Sequence, residues 1–128
     1  MTPPNHSIPP GQSENPGADR APYHGNGRLW TVLPPNGIVR DAPKRDGSIR
    51  EKFPWWRGVG VRGRLRITGR RLDAPAPPLR ANIPRGYGLT DFQASGIIFP
   101  TAGCWSVTGT ARKANLSFVT LAVEAGGS

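Results

Sequence analysis

Histidine, cysteine, lysine and long apolar runs are scarce in this 128-residue chain, and each scarcity removes a class of function. Both histidines, His6 and His24, fall in the first quarter, so the rest of the chain has no imidazole for a Ser-His-Asp arrangement or a multi-histidine metal site. The single cysteine, Cys104, has no intramolecular disulfide partner and no neighbouring histidine to lower its thiol pKa; it reads as a packed strand residue, not a nucleophile. No stretch approaches the roughly 18 apolar residues of a membrane span, and Met1 to Pro10 lacks the charged-then-apolar order of a signal peptide. The chain as written is therefore expected to carry neither a transmembrane segment nor an export signal. No phosphate-cradling glycine motif precedes a helix, and Asp41, Asp46, Glu51, Asp73, Asp91 and Glu124 occupy turn and strand-edge positions without the spacing of a catalytic pair. The expectation is a non-enzymatic protein with no cofactor and no metal.

What is abundant is Gly and Pro, 17 and 15 residues, and they are unevenly used. Residues 1 to 27 string together Thr2-Pro3-Pro4-Asn5, Ile8-Pro9-Pro10-Gly11, Asn15-Pro16-Gly17 and Gly25-Asn26-Gly27, with too little apolar surface to offset the entropy of ordering. They are expected to form a disordered Pro/Gly-rich arm or linker. Residues 28 to 124 form the domain and 125 to 128 a flexible tail. Roughly 100 residues suffice for one core, burying about two-thirds of the surface that the unfolded chain exposes.

Within the domain the apolar residues recur with period two and in short runs. Leu29 to Leu33 and Ile38 to Arg40 flank Pro34-Pro35-Asn36-Gly37 and look like a hairpin. Ser48 to Phe53 follow Asp46-Gly47, and Pro54 is expected to break the run ahead of Trp55-Trp56. From Val59 to Thr68, the residues Val59, Val61, Leu65 and Ile67 share one face, with Arg62, Arg64, Arg66 and Thr68 on the other. Asp73 to Pro78 must run extended over the surface; Leu79 to Ile83 and Ser95 to Phe99 are short strands around an Arg85-Gly86-Tyr87-Gly88 loop. Cys104 to Thr108 pairs across a Thr110 to Asn115 loop with Leu116 to Val123. No ten-residue window with helical periodicity escapes Pro or Gly. About seven short strands and no helix predict an all-β, antiparallel sandwich, with a small barrel as the alternative.

Seventeen Lys+Arg against eight Asp+Glu give a formal net charge of +9, which favours polyanions such as nucleic acid or cell-wall phosphates, at least weakly and non-specifically. Arg62, Arg64, Arg66, Arg70 and Arg71 can track a phosphate backbone, and Trp55, Trp56 and Tyr87 can stack on bases or sugar rings. These eight residues are the candidate binding surface. The same alternation also suits a solvated outer face whose charges block edge-to-edge association. Trp55 and Trp56 point to opposite faces of an extended strand, so at most one is expected to be buried and the other is the best candidate for a contact surface.

The run Lys52-Phe53-Pro54-Trp55-Trp56-Arg57-Gly58, the segment Gly69 to Arg80 and the stretch Gly96-Ile97-Ile98-Phe99-Pro100-Thr101-Ala102-Gly103-Cys104-Trp105-Ser106-Val107-Thr108-Gly109 followed by Leu116-Ser117-Phe118-Val119 resemble bacterial extracytoplasmic proteins of lipoprotein-like or secreted type. The resemblance spans about residues 23 to 123. It implies an immunoglobulin-like sandwich held behind a Pro-rich tether outside the cytoplasmic membrane. This chain departs from that group in lacking the export signal and in carrying Ser106 where an acidic residue is commoner. The expected function is a non-enzymatic envelope module that binds a protein or cell-wall component. The alternative is a nucleic-acid or polyanion binder using the Arg-rich strand.

Overall fold

Strict alternation of apolar and polar side chains sets the architecture, because each strand has one face to bury and one to solvate. The computed structural model describes residues 1–12 and 22–125, which hold nine strands and one 3-10 turn, Pro35–Gly37. The strands are β1 Tyr23–Gly25, β2 Leu29–Val32, β3 Ile38–Asp41, β4 Ile49–Arg57, β5 Leu65–Arg71, β6 Arg80–Asn82, β7 Asp91–Phe99, β8 Gly103–Ala111 and β9 Ala114–Glu124. They form a five-stranded sheet in the order β1-β2-β4-β7-β6 and a four-stranded sheet in the order β3-β9-β8-β5. The two sheets face each other as a sandwich and do not close into a barrel.

Side chains from both inner faces make one core. Leu29, Ile49, Phe53, Trp55, Ile97 and Phe99 come from the larger sheet; Val39, Leu65, Ile67, Trp105, Val107, Leu116, Phe118 and Ala122 come from the smaller. Phe118 meets Phe53 at 5.5 Å and Trp55 at 6.2 Å between ring centroids, and Phe99 meets Trp105 edge-on at 5.6 Å. The indole N–H of Trp55 donates to Ser95 Oγ and that of Trp105 to the Thr101 carbonyl, each at 3.0 Å, so neither ring is buried with an orphan donor.

Several expectations are corrected by this topology. Residues 29 to 33 and 38 to 40 do not form a hairpin. Asn36 and Gly37 take left-handed backbone at φ 56° and 74°, and the chain crosses there to the other sheet. β3 then runs parallel to β9, so the sandwich is not antiparallel throughout. Pro54 does not end its strand: β4 continues to Arg57, because the pairing of β2 with β4 reaches only Thr31↔Trp55 and Pro54 lies just beyond it. The Thr110 to Asn115 loop shrinks to the two residues between Ala111 and Ala114, with Arg112 at φ 53°. Val59 leaves the inward row and is 95% exposed, since Gly58 and Gly60 lie in a turn before the alternation resumes at Val61.

The expectation of a disordered arm over 1–27 is also revised where the residues are described. The Asn5 carboxamide brackets Gly25, accepting from its N–H at 3.1 Å and donating to its carbonyl at 2.6 Å, while His6 N–H reaches the Tyr23 carbonyl at 2.8 Å. Thr2 pairs with Val119 through its backbone N–H and its hydroxyl. The first segment thus ties the β1 edge of one sheet to β9 of the other. Ser7 Oγ accepts the Trp30 indole N–H at 3.0 Å, and Gly25 lies flat on that ring where any Cβ would clash. Asn and Ser side chains replace the apolar surface that the composition lacks. The remainder of the expected arm, 13–21, and most of the expected tail, 126–128, lie outside the described residues.

One consequence is a pH-dependent attachment. The Asn5 N–H donates to His24 Nδ1 at 3.2 Å, which requires that nitrogen to be unprotonated, and burial holds the His24 pKa below its usual value of 6.5. A lowered folded pKa means stability present above the unfolded value and lost as pH falls through the folded one. Acidification from pH 7 to below 6 is therefore expected to loosen residues 2–7. NMR should give a His24 midpoint below 6.5 and an amide protection factor at Gly25, corrected for the intrinsic pH dependence of exchange, that falls on acidification over the same range; a protection factor that stays constant would sink the coupling.

Candidate functional site

The alternation that buries Val61, Leu65 and Ile67 leaves Arg62, Arg64, Arg66 and Arg70 exposed on the outer side of β5 and the loop before it. β5 is an edge strand, and its outward row continues across the sheet through Thr110 and Asn115 beside Arg66, Thr108 and Ser117 beside Thr68, and Ser106 and Val119 beside Arg70. These cross-strand rows contain no carboxylate. Thr108 and Ser117 share a 2.7 Å hydroxyl–hydroxyl hydrogen bond, so the face is flat, polar and cationic. Arg71 turns away from this row: its Nε donates to Asp73 Oδ1 at 2.8 Å, the one ion pair among the described residues. That bond, with a second from the Cys104 N–H, holds the Asp73 carboxyl below its usual pKa.

Next to the β5 edge the sandwich opens. Arg64, Leu65 and Arg66 form one lip of a cleft of about 640 Å³, and Ile83 to Leu89, with Gln93 behind them, form the other. The cleft gathers Arg64, Arg66 and Tyr87 from the sequence candidates and adds Arg85. Gln93 is buried and its Nε2 donates to the Pro84 carbonyl at 3.0 Å, which pins the loop at its base. Tyr87 is 41% exposed and leans on Phe92, itself 38% exposed. From there a line of edge-to-face rings runs over the outside of the larger sheet, Tyr87 to Phe92 to Trp56 to Tyr23, at 5.6, 5.5 and 5.6 Å. Trp56 is half-buried within this line. Trp55 points inward, is fully buried and belongs to the core, so it leaves the candidate surface.

Sequence reasoning missed Arg57. It is buried, 1% exposed, yet its guanidinium is satisfied by main-chain carbonyls: Nη1 donates to Gly63 at 2.8 Å, Nη2 to Thr90 at 2.9 Å and Nε to Asp91 at 3.3 Å. Burial pulls its pKa down, opposed in part by the Asp91 carboxylate. The group joins the start of β5 to the end of the 83–90 loop, and so ties together the two lips of the cleft. A signal was present, since Arg57 keeps the odd-numbered register of Phe53 and Trp55.

Among the described residues no three His, Cys, Asp or Glu side chains cluster as metal ligands. No protein-family model matches the chain, and no curated protein matches it. What the site can do is accordingly argued from its own chemistry: three guanidinium groups and a phenol ring around a cleft whose lining includes no carboxylate.

Proposed function

We propose that this chain is a non-enzymatic binding module of the bacterial cell envelope, with an immunoglobulin-like sandwich that grips anionic groups of its partner in the Arg64–Arg66–Arg85 cleft. The observation that carries this reading is the charge imbalance at the cleft: Arg64, Arg66 and Arg85 line it, none is ion-paired among the described residues, and no acidic residue lines it. Like charges so gathered repel, and they persist at a cost unless a partner of opposite sign offsets it. The immunoglobulin-like reading draws on the packed sheets and on a fully buried tryptophan at the centre of the sandwich. The extracytoplasmic placement draws on the sequence resemblance.

A second reading, general binding of nucleic acid or another polyanion, is favoured by the extension of the cationic row to Arg62 and Arg70. Retention on immobilised cell-wall material and on heparin, each across a salt gradient, separates the two, because binding by phosphate neutralisation weakens steeply with salt. The double charge reversal Arg64→Glu/Arg66→Glu lowers the formal charge from +9 to +5. It is expected to elute from both columns at clearly lower salt than the matched reversal Arg40→Glu/Arg45→Glu, which has the same +5 charge on β3, the edge of the smaller sheet opposite β5, and in the loop after it. Equal elution of the two variants would show that net charge alone is read and that the cleft has no special part.

A further inference from the structure

The geometry points to an extended acidic peptide as the occupant of the cleft, added as a further strand along β5; this rests on the reading of the cleft as a partner site. The free edge of β5 is tied to the rest of the molecule at two places, where Gly63 N–H donates to the Leu89 carbonyl at 2.9 Å and the Gly69 carbonyl accepts from Leu79 N–H at 3.2 Å. In an antiparallel strand the backbone groups of alternate residues face opposite edges. Gly69 faces the free edge, so Ile67 and Leu65 do as well, and both present an N–H and a C=O on the side away from β8. β5 pairs with β8 alone; β6 comes up beside it just after the Leu79 tie, and the edge opens onto the cleft toward its other end, at Arg64 to Arg66. The gap covers six residue steps, about 20 Å of extended chain.

An open edge of this kind is a template for strand addition, which supplies affinity through main-chain hydrogen bonds and specificity through alternate side chains. Arg64 and Arg66, two residues apart on one face, match carboxylates two residues apart on an added strand, and Arg85 and Tyr87 stand on the opposite lip. Charge complementarity therefore selects an acidic segment over a neutral or basic one. An anionic polymer without amide groups satisfies the arginines but leaves the Leu65 and Ile67 groups to water.

The test uses the full chain and a fluorescein-labelled, acetylated tetrapeptide of alternating glutamate and valine, short enough to lie between the two ties, read by fluorescence anisotropy. Two companions have the same charge but are N-methylated, one on its valines and one on its glutamates, so that each loses the donors along one edge. Binding of the parent is expected, with one companion weakened about tenfold or more for the loss of the two hydrogen bonds to the Leu65 and Ile67 carbonyls and the other retained. Amide exchange at Leu65 and Ile67 should slow when the parent is bound. If both companions bind like the parent, the contact is charge alone; strand addition is then wrong while the anion-binding cleft stands. Strand addition is equally overturned if heparin is retained through Arg64 and Arg66 but the parent peptide does not bind. Loss of the reading of the cleft itself would show differently, as no peptide binding together with equal heparin elution of the Arg64→Glu/Arg66→Glu and Arg40→Glu/Arg45→Glu variants.

Discussion

Trp55→Ala is expected to cost about 3–5 kcal/mol of folding stability, the range for removing a fully buried aromatic side chain from a close-packed core. Trp55 has no exposed surface, touches Phe118 from the opposite sheet, and is seated on Gly109 of β8, where an added Cβ would run into the six-membered part of the indole. The glycine and the tryptophan are a matched pair: the missing side chain on one sheet admits the large one from the other. Truncation leaves a cavity between two sheets that cannot collapse without shifting β8, and it also strands the Ser95 hydroxyl, whose acceptor role is lost while its bond to the Phe53 carbonyl at 2.8 Å remains. In a domain of about 100 residues the melting temperature should fall by about 15 °C or more. Trp56→Ala, one residue along and on the outer face, should cost about a third as much. Thermal melts of the two variants decide the assignment, and equal losses would refute the placement of Trp55 as core and Trp56 as surface.

The contrast between those two neighbours marks how far the sequence could be read. Period two set Arg62, Arg64, Arg66 and Thr68 on an outer face opposite Val61, Leu65 and Ile67, and that division stands in the structure. It also allowed at most one of Trp55 and Trp56 to be buried without saying which, since the choice depends on which face of β4 meets the other sheet. Strand partners were beyond it. Nothing local distinguishes an Ile38–Arg40 strand that folds back on Leu29–Val32 from one that crosses to lie parallel to β9; the left-handed Asn36-Gly37 turn is compatible with both. Composition misled over residues 1–12, because Asn5, Ser7 and Thr2 secure that segment by hydrogen bonds where hydrophobic content is low.

The cleft shows the same division. Arg64, Arg66 and Tyr87 were legible one by one as exposed basic and aromatic residues, but their convergence depends on a loop about 20 residues away in sequence returning to the β5 edge. Arg85 was passed over as one more loop residue. Arg57 shares the inward register of Phe53 and Trp55 but was passed over for a physical reason: the rule that charged side chains stay outside has its exceptions where main-chain carbonyls take the place of a counter-ion.

Arg57 for that reason carries the prediction that links fold to site. Arg57→Met keeps much of the volume but removes every donor, leaving the carbonyls of Gly63, Thr90 and Asp91 without the guanidinium that bridges them. Unsatisfied buried polar groups cost about 1–3 kcal/mol each, so a loss of about 3–4 kcal/mol in urea unfolding is expected, allowing for partial access of water. Arg57→Lys should recover only part of it, because an ammonium cannot span three carbonyls in the fixed fork of a guanidinium. Stability is only half of the expectation. Since these carbonyls belong to the two lips of the cleft, the variant should release the lips: amide exchange at Gly63 and Leu89 should quicken well beyond the global change, and heparin retention should fall although no surface charge has been touched. A variant that loses stability yet holds heparin at the parental salt concentration would confine Arg57 to the core and separate the cleft's shape from its charge.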